Sequence, residues 1–334
     1  MQKLRLFQYF WAVNYLSNIV IFVSPIKFIT PNFKACMSSI SQLLKENNPH
    51  EDILAIAGSL GEKENMPTYI VGGYVRDTLL GKSCKDIDIM VEGDGVAFAK
   101  KLARELKVNV TVDYDKFGTA MIPYPDVEIE VATARIEKYR SDSRKPEVTS
   151  STIEEDMSRR DFTINAIAAS LLPSSFGELY DPFGGIKDLQ KELIITPLDP
   201  DETFSDDPLR MLRAVRFAAQ LEYDVASTIL ESISRNINRL EIVSWERIRD
   251  EIIKSLTTNK PSIAFYLMKE TGLLTHVFPE MDIMSGIETI NGMGHKDVFI
   301  HTLQVVDNAA KLSDKMEIRF AALVHDIAKP PTKQ

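Results

Sequence analysis

Cysteine is scarce in this 334-residue chain, and an excess of basic charge is absent. The two cysteines, Cys36 and Cys84, show neither metal-site spacing nor a disulfide framework, so we expect a reducing, cytoplasmic environment. The net charge of −9 argues against indiscriminate binding of nucleic acid, so any RNA site would be a local basic patch. No internal repeat or low-complexity tract is present, and the length allows two or more domains.

The N-terminal segment is unusual because residues 6–24 carry no charge. This pattern fits a membrane anchor or a signal segment. Polar residues interrupt the run, however, and it ends early at Pro25. We therefore expect the true start to be Met37, with residues 1–36 a mis-assigned start or a dispensable extension, and keep the membrane anchor as the alternative.

Residues 70–90 carry more chemistry than any other segment. A β-branched run ends in Gly72 and Gly73, where the missing side chains let the backbone approach a phosphate closely. Asp86 and Asp88 bracket an isoleucine on a predicted strand, so both carboxylates point to one face. Adjacent carboxylates repel each other unless a cation lies between them, and hard oxygen ligands suit Mg²⁺. The segment therefore predicts a phosphate and magnesium site.

This segment resembles the signature of the nucleotidyltransferase superfamily, and within it the class II tRNA nucleotidyltransferases and bacterial poly(A) polymerases. The signature reads GG-x-V-R-D-x-L-L-G followed by D-x-D, and the chain matches every fixed position. The resemblance implies Mg²⁺ on Asp86 and Asp88, with Gly73 and Arg76 near the triphosphate. Two-metal chemistry often uses a third carboxylate from a neighbouring strand, a role that we assign to Glu130. A solvated strand face is the alternative reading of Glu130.

A second cluster, RRDFTINAIA, occupies residues 159–168. The planar fork of arginine suits a phosphate or a ribose, and the alternation of residues directs Arg160 and Asn165 toward one site. The two arginines could instead cap and solvate a helix start. The cluster resembles the second motif of the same family, and the Gly-Gly turn at residues 181–185 resembles the third.

One helix is predicted to begin at Asp207, an N-cap residue followed by a proline at the first helical position. Asp207 and Arg210 share a helix face and can together read the Watson–Crick edge of a base. ATP and CTP present an exocyclic amine beside a ring acceptor, whereas GTP and UTP do not. The segment resembles the family's fourth motif, E-D-x-x-R, with Asp206 in place of the glutamate. The resemblance implies triphosphate contacts from Arg213 and Arg216.

Two further segments lie nearer the C-terminus. Residues 244–254 resemble the fifth motif, E-R-I-x-x-E-x-x-K, and we interpret them as a brace for the base-reading helix. His301, His325 and Asp326 look like part of an HD phosphohydrolase metal site. That pattern needs a distal aspartate, which does not occur before Gln334, so we prefer a degenerate helical segment in a C-terminally truncated chain.

Together the motifs predict an α+β protein: a nucleotidyltransferase (polymerase-beta-like) mixed sheet head of the five-stranded type, followed by an all-α neck and body. The predicted divisions are an apolar extension (1–36), a helical lead-in (37–65), the head (66–195), a neck with the base-reading motif (196–260) and a body with an incomplete HD-like module (261–334). Within the head we expect helices over 75–80 and 95–106, strands over 86–91, 108–113, 119–123 and 127–132, and a polar, basic connecting loop over 135–150.

The resemblance implies a template-independent enzyme that uses Mg²⁺ to add CCA to the 3′ end of tRNA from CTP and ATP, with release of pyrophosphate. We expect the tRNA 3′ end and these two nucleotides as partners and no stable membrane partner; the sequence leaves the oligomeric state open. A poly(A) polymerase, or an enzyme that adds only C or only A, is the nearest alternative. An HD-type metal-dependent phosphohydrolase and a non-catalytic RNA-binding protein are alternatives of other classes.

Overall fold

The computed structural model describes residues 39–330, except for residues 47, 85, 109–111, 115–117, 141–142, 286–288, 291–292 and 295–296. Residues 1–38, and with them the predicted extension and its membrane-anchor alternative, lie outside the described residues. Within the described part of the chain, every helix is too short or too polar to span a bilayer.

A mixed sheet forms the head. The strands of the head are β1 (Thr68–Val71), β2 (Asp86–Val91), β3 (Val112–Tyr114), β4 (Thr119–Tyr124), β5 (Val127–Thr133), β6 (Arg135–Arg140), β7 (Ser143–Ser150), β8 (Ala168–Ser170) and β9 (Leu179–Tyr180). Seven of them form one sheet in the order β3-β4-β5-β2-β1-β8-β9, which is larger than the five-stranded type expected. The central pair, β2 and β5, runs parallel, whereas the other neighbours are antiparallel.

Short helices surround this sheet. They are α1 (Ser41–Lys45), α2 (Glu51–Lys63), α3 (Gly73–Leu79), α4 (Gly95–Glu105), α5 (Ile153–Ser158) and α6 (Gly185–Gln190), with 3₁₀ turns at Thr163–Asn165 and Pro173–Ser175. The side chain of Asp94 caps α4 by accepting from the Ala97 amide at 2.9 Å. Phe98 and Leu102 recur at helical spacing and are buried, and α4 packs on β4 and β5. One face of the sheet is thereby covered.

The prediction of a loop over residues 135–150 is wrong, because β6 and β7 pair there as a separate antiparallel hairpin. Polar composition favoured a loop, but a strand also forms wherever a partner strand satisfies its backbone groups. Of the strand predicted over residues 108–113, the structure describes β3 from Val112 onward, and residues 109–111 lie outside the described residues. Val108 instead closes α4, since its amide donates to the Ala103 carbonyl at 2.8 Å.

Helices dominate the rest of the chain. They are α7 (Pro200–Asp206), α8 (Leu209–Leu221), α9 (Ser227–Asn236), α10 (Trp245–Leu256), α11 (Ser262–Thr271), α12 (Leu273–Val277), α13 (Pro279–Asp282), α14 (Val298–Leu312) and α15 (Met316–Val324), with a 3₁₀ turn at Ile237–Ile242. Two short strand pairs interrupt them, β10 (Leu193–Ile194) with β11 (Asp224–Val225) and β12 (Thr289–Ile290) with β13 (Met293–Gly294). The mixed sheet head followed by a helical neck and body is therefore confirmed, with these strand pairs as additions.

Helix α8 starts one position later than predicted. Pro208 is its N-cap residue, and Asp207 precedes it in an extended conformation. The carboxylate of Asp207 still accepts from the Leu209 amide at 3.2 Å. The first turn is therefore stabilised by Asp207 as expected, although the helix begins at Leu209. The divisions between lead-in, head, neck and body stay predictions.

Candidate active site

The predicted catalytic carboxylates share one face of the sheet. In the parallel register of β2 and β5, Asp88 lies opposite Glu130 and Asp86 lies opposite Glu128. The intervening Ile87 is fully buried on the other face. Asp86 and Glu130 are exposed and Asp88 is partly buried, so the strand period of two gathers these side chains on the open face. Glu128, which sequence reasoning did not include, follows from the same alternation.

Asp88 is partly buried beside a second carboxylate and an arginine. Burial raises the pKa of Asp88 above its ordinary value, the neighbouring charge of Asp86 raises it further, and Arg160 opposes both. A divalent cation would stabilise the ionised carboxylate in the same way as Arg160 does. The hard oxygen donors of Asp86 and Asp88 therefore fit a cation such as Mg²⁺.

The glycine pair lies beside these carboxylates. Because Ile70 pairs with Ile89, the loop that starts at Gly72 is level with the two aspartates. Gly72 has a φ of 68°, and a Cβ atom there would lie 2.7 Å from Nη1 of Arg160. Gly73 then begins α3. The positive φ favours glycine at position 72, and the absent side chain lets a guanidinium group lie against the loop.

A buried carboxylate holds the guanidinium groups of the second motif. Asp156, on α5, is 1% exposed and accepts from Arg159 at 2.5 Å and from Arg160 at 3.2 Å. Burial alone would raise the pKa of Asp156, but the charges of Arg160 and Arg159 outweigh burial and lower it. Asp156 therefore stays ionised and fixes both arginines. Arg159 is the C-cap residue of α5 and Arg160 follows it, so the alternative in which the two arginines cap the start of a helix is wrong.

Arg159, which sequence reasoning did not single out, lines two cavities. The smaller, of about 160 Å³, is lined by Asp88, Glu130 and Arg160 among others. The larger, of about 320 Å³, contains Arg210 of α8 in its lining. Arg159 lines both cavities. In the sequence, only the pair of adjacent arginines, Arg159 and Arg160, indicated that Arg159 could belong to the site.

The predicted base-reading pair is only partly assembled at the larger cavity. Arg210 lines this cavity, and its Nη2 donates to the carbonyl of Arg159 at 2.6 Å. Asp206 lines the cavity as well, whereas Asp207 does not belong to its lining. The Asp207 carboxylate instead accepts from Arg247 at 3.0 Å. That contact agrees with a bracing function of the fifth motif, and the base-reading role of Asp207 stays a prediction.

Arg213 and Arg216 are both bound to carboxylates of the protein. Arg213 donates to Asp161 at 2.8 and 2.5 Å, and Arg216 donates to Glu251 at 2.6 Å. Burial would raise the pKa of Asp161, but Arg213 and the Asn165 amide lower it to about 2. Neither arginine lines the two cavities. These contacts favour a structural role over the implied triphosphate contacts, which stay predictions.

Arg76 and Asn165 lie behind the glycine loop, inside the protein. Arg76 is 4% exposed, and two of its nitrogens donate to Asp77 at 2.8 Å each. Its Nη1 donates to Oδ1 of Asn165 at 2.7 Å, and the Asn165 amide donates to Asp161 at 2.9 Å. The two residues therefore support the loop from within. Asp161, which links them to Arg213, was missing from the predicted site.

The three residues of the predicted HD site meet at the end of α15. Ligand atoms of His301, His325 and Asp326 all lie within 4.8 Å of one another. His325 Nδ1 lies 2.8 Å from the Ala322 carbonyl, so an Nδ1–H donor leaves Nε2 free to face Asp326 at 3.2 Å. Two imidazole nitrogens and a carboxylate are suitable ligands for a transition metal. This geometry does not support the preferred reading of a degenerate segment.

The mixed sheet, the paired carboxylates and the glycine loop define a nucleotidyltransferase head with helical regions attached. A family model described as the poly A polymerase head domain matches residues 68–195. A model described as the probable RNA and SrmB-binding site of polymerase A matches residues 222–284, and an HD domain model matches residues 298–334.

Known proteins show the same relationship. The chain is 34% identical over 268 residues to the A-adding tRNA nucleotidyltransferase of Geobacter sulfurreducens, covering 79% of this chain and 28% of that protein. It is 36% identical over 274 residues to the Multifunctional CCA protein of Nitrosomonas europaea, covering 80% and 63%. A solved complex of a CCA-adding enzyme with ATP has 30% identity and a TM-score of 0.66, covering 89% of this chain and 70% of that chain.

The chain therefore belongs to the family of class II CCA-adding tRNA nucleotidyltransferases and bacterial poly(A) polymerases, which are metal-dependent enzymes. It spans less than two thirds of the length of the two curated relatives described above.

Proposed function

We propose that this chain is a template-independent nucleotidyltransferase that adds CMP and AMP, from CTP and ATP, to the 3′ end of tRNA. In the proposed reaction the tRNA 3′-oxygen bonds to the α-phosphorus of the nucleotide. The bond between the α- and β-phosphates breaks, pyrophosphate leaves, and the hydroxyl proton passes to solvent. Cytoplasmic localisation belongs to this proposal and rests on the cysteine usage.

The observation that carries the proposal is a pair of cavities that share Arg159 in their linings. The carboxylate cavity contains Asp88 and Glu130, and the adjoining cavity contains Arg210. A nucleotide has its reacting phosphate at one end and its base at the other. Two cavities that share a lining residue, one with carboxylates for a metal and one with an arginine donor for a base, match that division.

The residues of the chain have separate functions in this proposal. Asp86 and Asp88 would hold Mg²⁺, which when bound activates the 3′-hydroxyl and stabilises the leaving pyrophosphate. The Gly72 loop and Arg160 bind the triphosphate, because backbone amides and a guanidinium group are donors that phosphate oxygens accept. Arg210, with Asp207, selects the base by donating to its ring acceptor while the carboxylate accepts from the exocyclic amine.

The choice between CCA addition and addition of A alone remains part of the proposal. One relative is named as A-adding and another as a CCA protein, at similar identity to this chain. The Watson–Crick edges of ATP and CTP share the amine and acceptor that a carboxylate and an arginine recognise. We therefore propose that both nucleotides are accepted.

The proposal is tested with a tRNA transcript that lacks its last three nucleotides. The purified chain is incubated with this tRNA and Mg²⁺ in the presence of ATP alone, CTP alone or both. We expect CC with CTP alone and CCA with both nucleotides, and no addition after chelation of the metal. Addition of A only, or a long A tract, would identify an A-adding enzyme or a poly(A) polymerase instead.

Two isosteric variants and one control make the assay specific. Asp86→Asn and Asp88→Asn remove one negative charge each from the proposed metal site and should abolish addition. Glu105→Gln makes the same chemical change at an exposed end of α4 and should leave addition unchanged. Full activity of either aspartate variant would contradict the mechanism. Tight tRNA binding without addition by the wild type would favour an RNA-binding protein.

The histidine cluster favours a second candidate function, an HD-type phosphohydrolase. This candidate function rests on His301, His325 and Asp326, whose ligand atoms all lie within 4.8 Å of one another. The test is hydrolysis of 2′,3′-cyclic nucleotides by the metal-loaded chain, in which water adds to phosphorus and one P–O bond of the cyclic phosphodiester breaks, with His325→Ala as the inactive variant. Equal hydrolysis by wild type and variant would exclude this site as the source.

A further inference from the structure

Phe217 lies at the centre of a cluster of arginines that have no assigned role in the proposed reaction. It is 5% exposed and lies on α8, two turns after Arg210. Three guanidinium groups surround its ring. Their central carbons lie 4.0 Å (Arg216), 5.2 Å (Arg76) and 5.3 Å (Arg213) from the ring centroid. These distances are in the range of cation–π attraction.

Each of these guanidinium groups also has its own carboxylate. The pairs are Arg76 with Asp77, Arg213 with Asp161, and Arg216 with Glu251. The cluster as a whole is therefore neutral, although three positive groups surround one ring. The negative faces of the aromatic ring attract these cations in addition to their carboxylate partners.

The cluster joins the catalytic side of the protein to the base-reading helix. Arg76 belongs to α3, the helix that follows Gly72, and Phe162 belongs to the second motif. Phe162 contacts the Phe217 ring edge-on, with centroids 5.7 Å apart and planes at 80°. Phe217 itself belongs to α8, which also carries Arg210. One ring thus contacts both sides of the proposed nucleotide site.

A hydrogen-bonded path runs alongside the ring between the same helices. Arg76 donates to Asn165, Asn165 donates to Asp161, and Asp161 accepts from Arg213. Arg213 lies one turn before Phe217 on α8. The ring contacts and the hydrogen-bonded path therefore connect α3 and α8 in two separate ways. A shift of α8 relative to α3 would have to break both.

We propose that Phe217 is a positioning residue that couples base selection on α8 to placement of the triphosphate at the Gly72 loop. The inference rests on the proposed function. When the correct base engages Arg210, the ring transmits the position of α8 to Arg76 and thus to α3. Leucine at this position would keep much of the volume but lose the ring quadrupole, so the two helices would no longer be fixed against each other.

The test compares Phe217→Leu with Phe217→Tyr, which keeps the ring, and with Phe98→Leu as the matched control. Phe98 is a buried phenylalanine of α4, and no guanidinium lies over its ring among the described residues. For each protein we measure kcat and KM of addition to tRNA with CTP, ATP, UTP and GTP. The equilibrium affinities for the four nucleotides are measured on the same preparations.

We expect Phe217→Leu to lower the ratio of kcat/KM for CTP over UTP by about tenfold, with a loss in the same direction in the ratio of the equilibrium affinities. Phe217→Tyr should restore the ratio. A merely structural role would reduce all four nucleotides by one common factor and leave the ratio unchanged, as expected for Phe98→Leu. An unchanged ratio in Phe217→Leu overturns the inference, as does an equal loss in Phe98→Leu.

Failure of the proposed function gives a different result. In that case the wild type itself adds no nucleotide to tRNA. The affinities then test the coupling alone: a CTP-over-UTP preference that Phe217→Leu loses and Phe217→Tyr keeps supports the inference. Should Phe217→Leu not fold, Phe217→Met provides the same loss of the ring, and its ratio is judged by the same criteria.

Discussion

Replacement of Asp161 by asparagine tests the electrostatic link between the second motif and α8. The carboxylate is buried and binds Arg213 through two nitrogens, and its pKa is lowered from 3.8 to about 2. A carboxyl group whose pKa is lower in the folded than in the unfolded state stabilises the fold at pH values above the unfolded pKa. The contribution disappears as the pH falls from about 5 toward 2. The shift corresponds to about 2 kcal/mol at neutral pH.

We expect Asp161→Asn to lower the free energy of unfolding at pH 7 by about 2 to 4 kcal/mol. The lower part of this range is favoured, because the Arg213 side chain is 32% exposed and water can solvate it after the carboxylate is lost. The asparagine does not titrate, so the difference from the wild type should shrink as the pH falls from about 5 to 3.

The assay is urea unfolding followed by circular dichroism at a series of pH values between about 7 and 3. Asp250→Asn provides the control, because Asp250 binds Arg249 through an exposed ion pair, and it should have a much smaller effect. A difference between Asp161→Asn and the wild type that stays constant with pH would refute the reasoning. So would a loss no larger than that of the control.

Three further predictions concern the proposed sites. Gly72→Ala should raise the nucleotide KM about tenfold, because its Cβ would lie 2.7 Å from Arg160 Nη1 at a φ of 68°. Gly81→Ala is the control, since Gly81 has a φ of 67° but open space around it, and it should leave KM unchanged in steady-state assays. Equal effects of the two substitutions would contradict the clash. Asp207→Ala should relax discrimination against GTP and UTP more than it slows addition of C and A, and unchanged selectivity in single-nucleotide assays would exclude base reading. His325→Ala should abolish Mn²⁺ binding by calorimetry at the histidine cluster while tRNA addition persists, and retained binding there would place the metal elsewhere.

The carboxylate face could be predicted from the sequence because it depends on strand periodicity alone. Alternation places Asp86 and Asp88 together on any strand that buries Ile87. The parallel partner strand then adds Glu130 opposite Asp88. The glycine at position 72 could be predicted in the same way, since a chain turn beside a phosphate site needs a residue without Cβ.

The remaining features depend on tertiary contacts that no local pattern contains. Arg213 and Arg216 have the helical spacing of a phosphate-binding face, yet each is paired with a carboxylate 35 or more residues distant in sequence. Arg159, which lines both cavities, is held by Asp156 through its side chain and by Arg210 of α8 through its carbonyl. Local sequence predicts which groups are present, whereas the fold determines which of them remain available to a ligand.

The most direct test of the proposed function is the 3′-end sequence of the tRNA after incubation with all four nucleotides and Mg²⁺. The starting transcript lacks its terminal three nucleotides. Selection through Arg210 and Asp207 predicts products that end in CCA and contain neither U nor G. Unextended tRNA in the presence of folded, metal-supplied protein, or products that contain U or G, would contradict the proposed function.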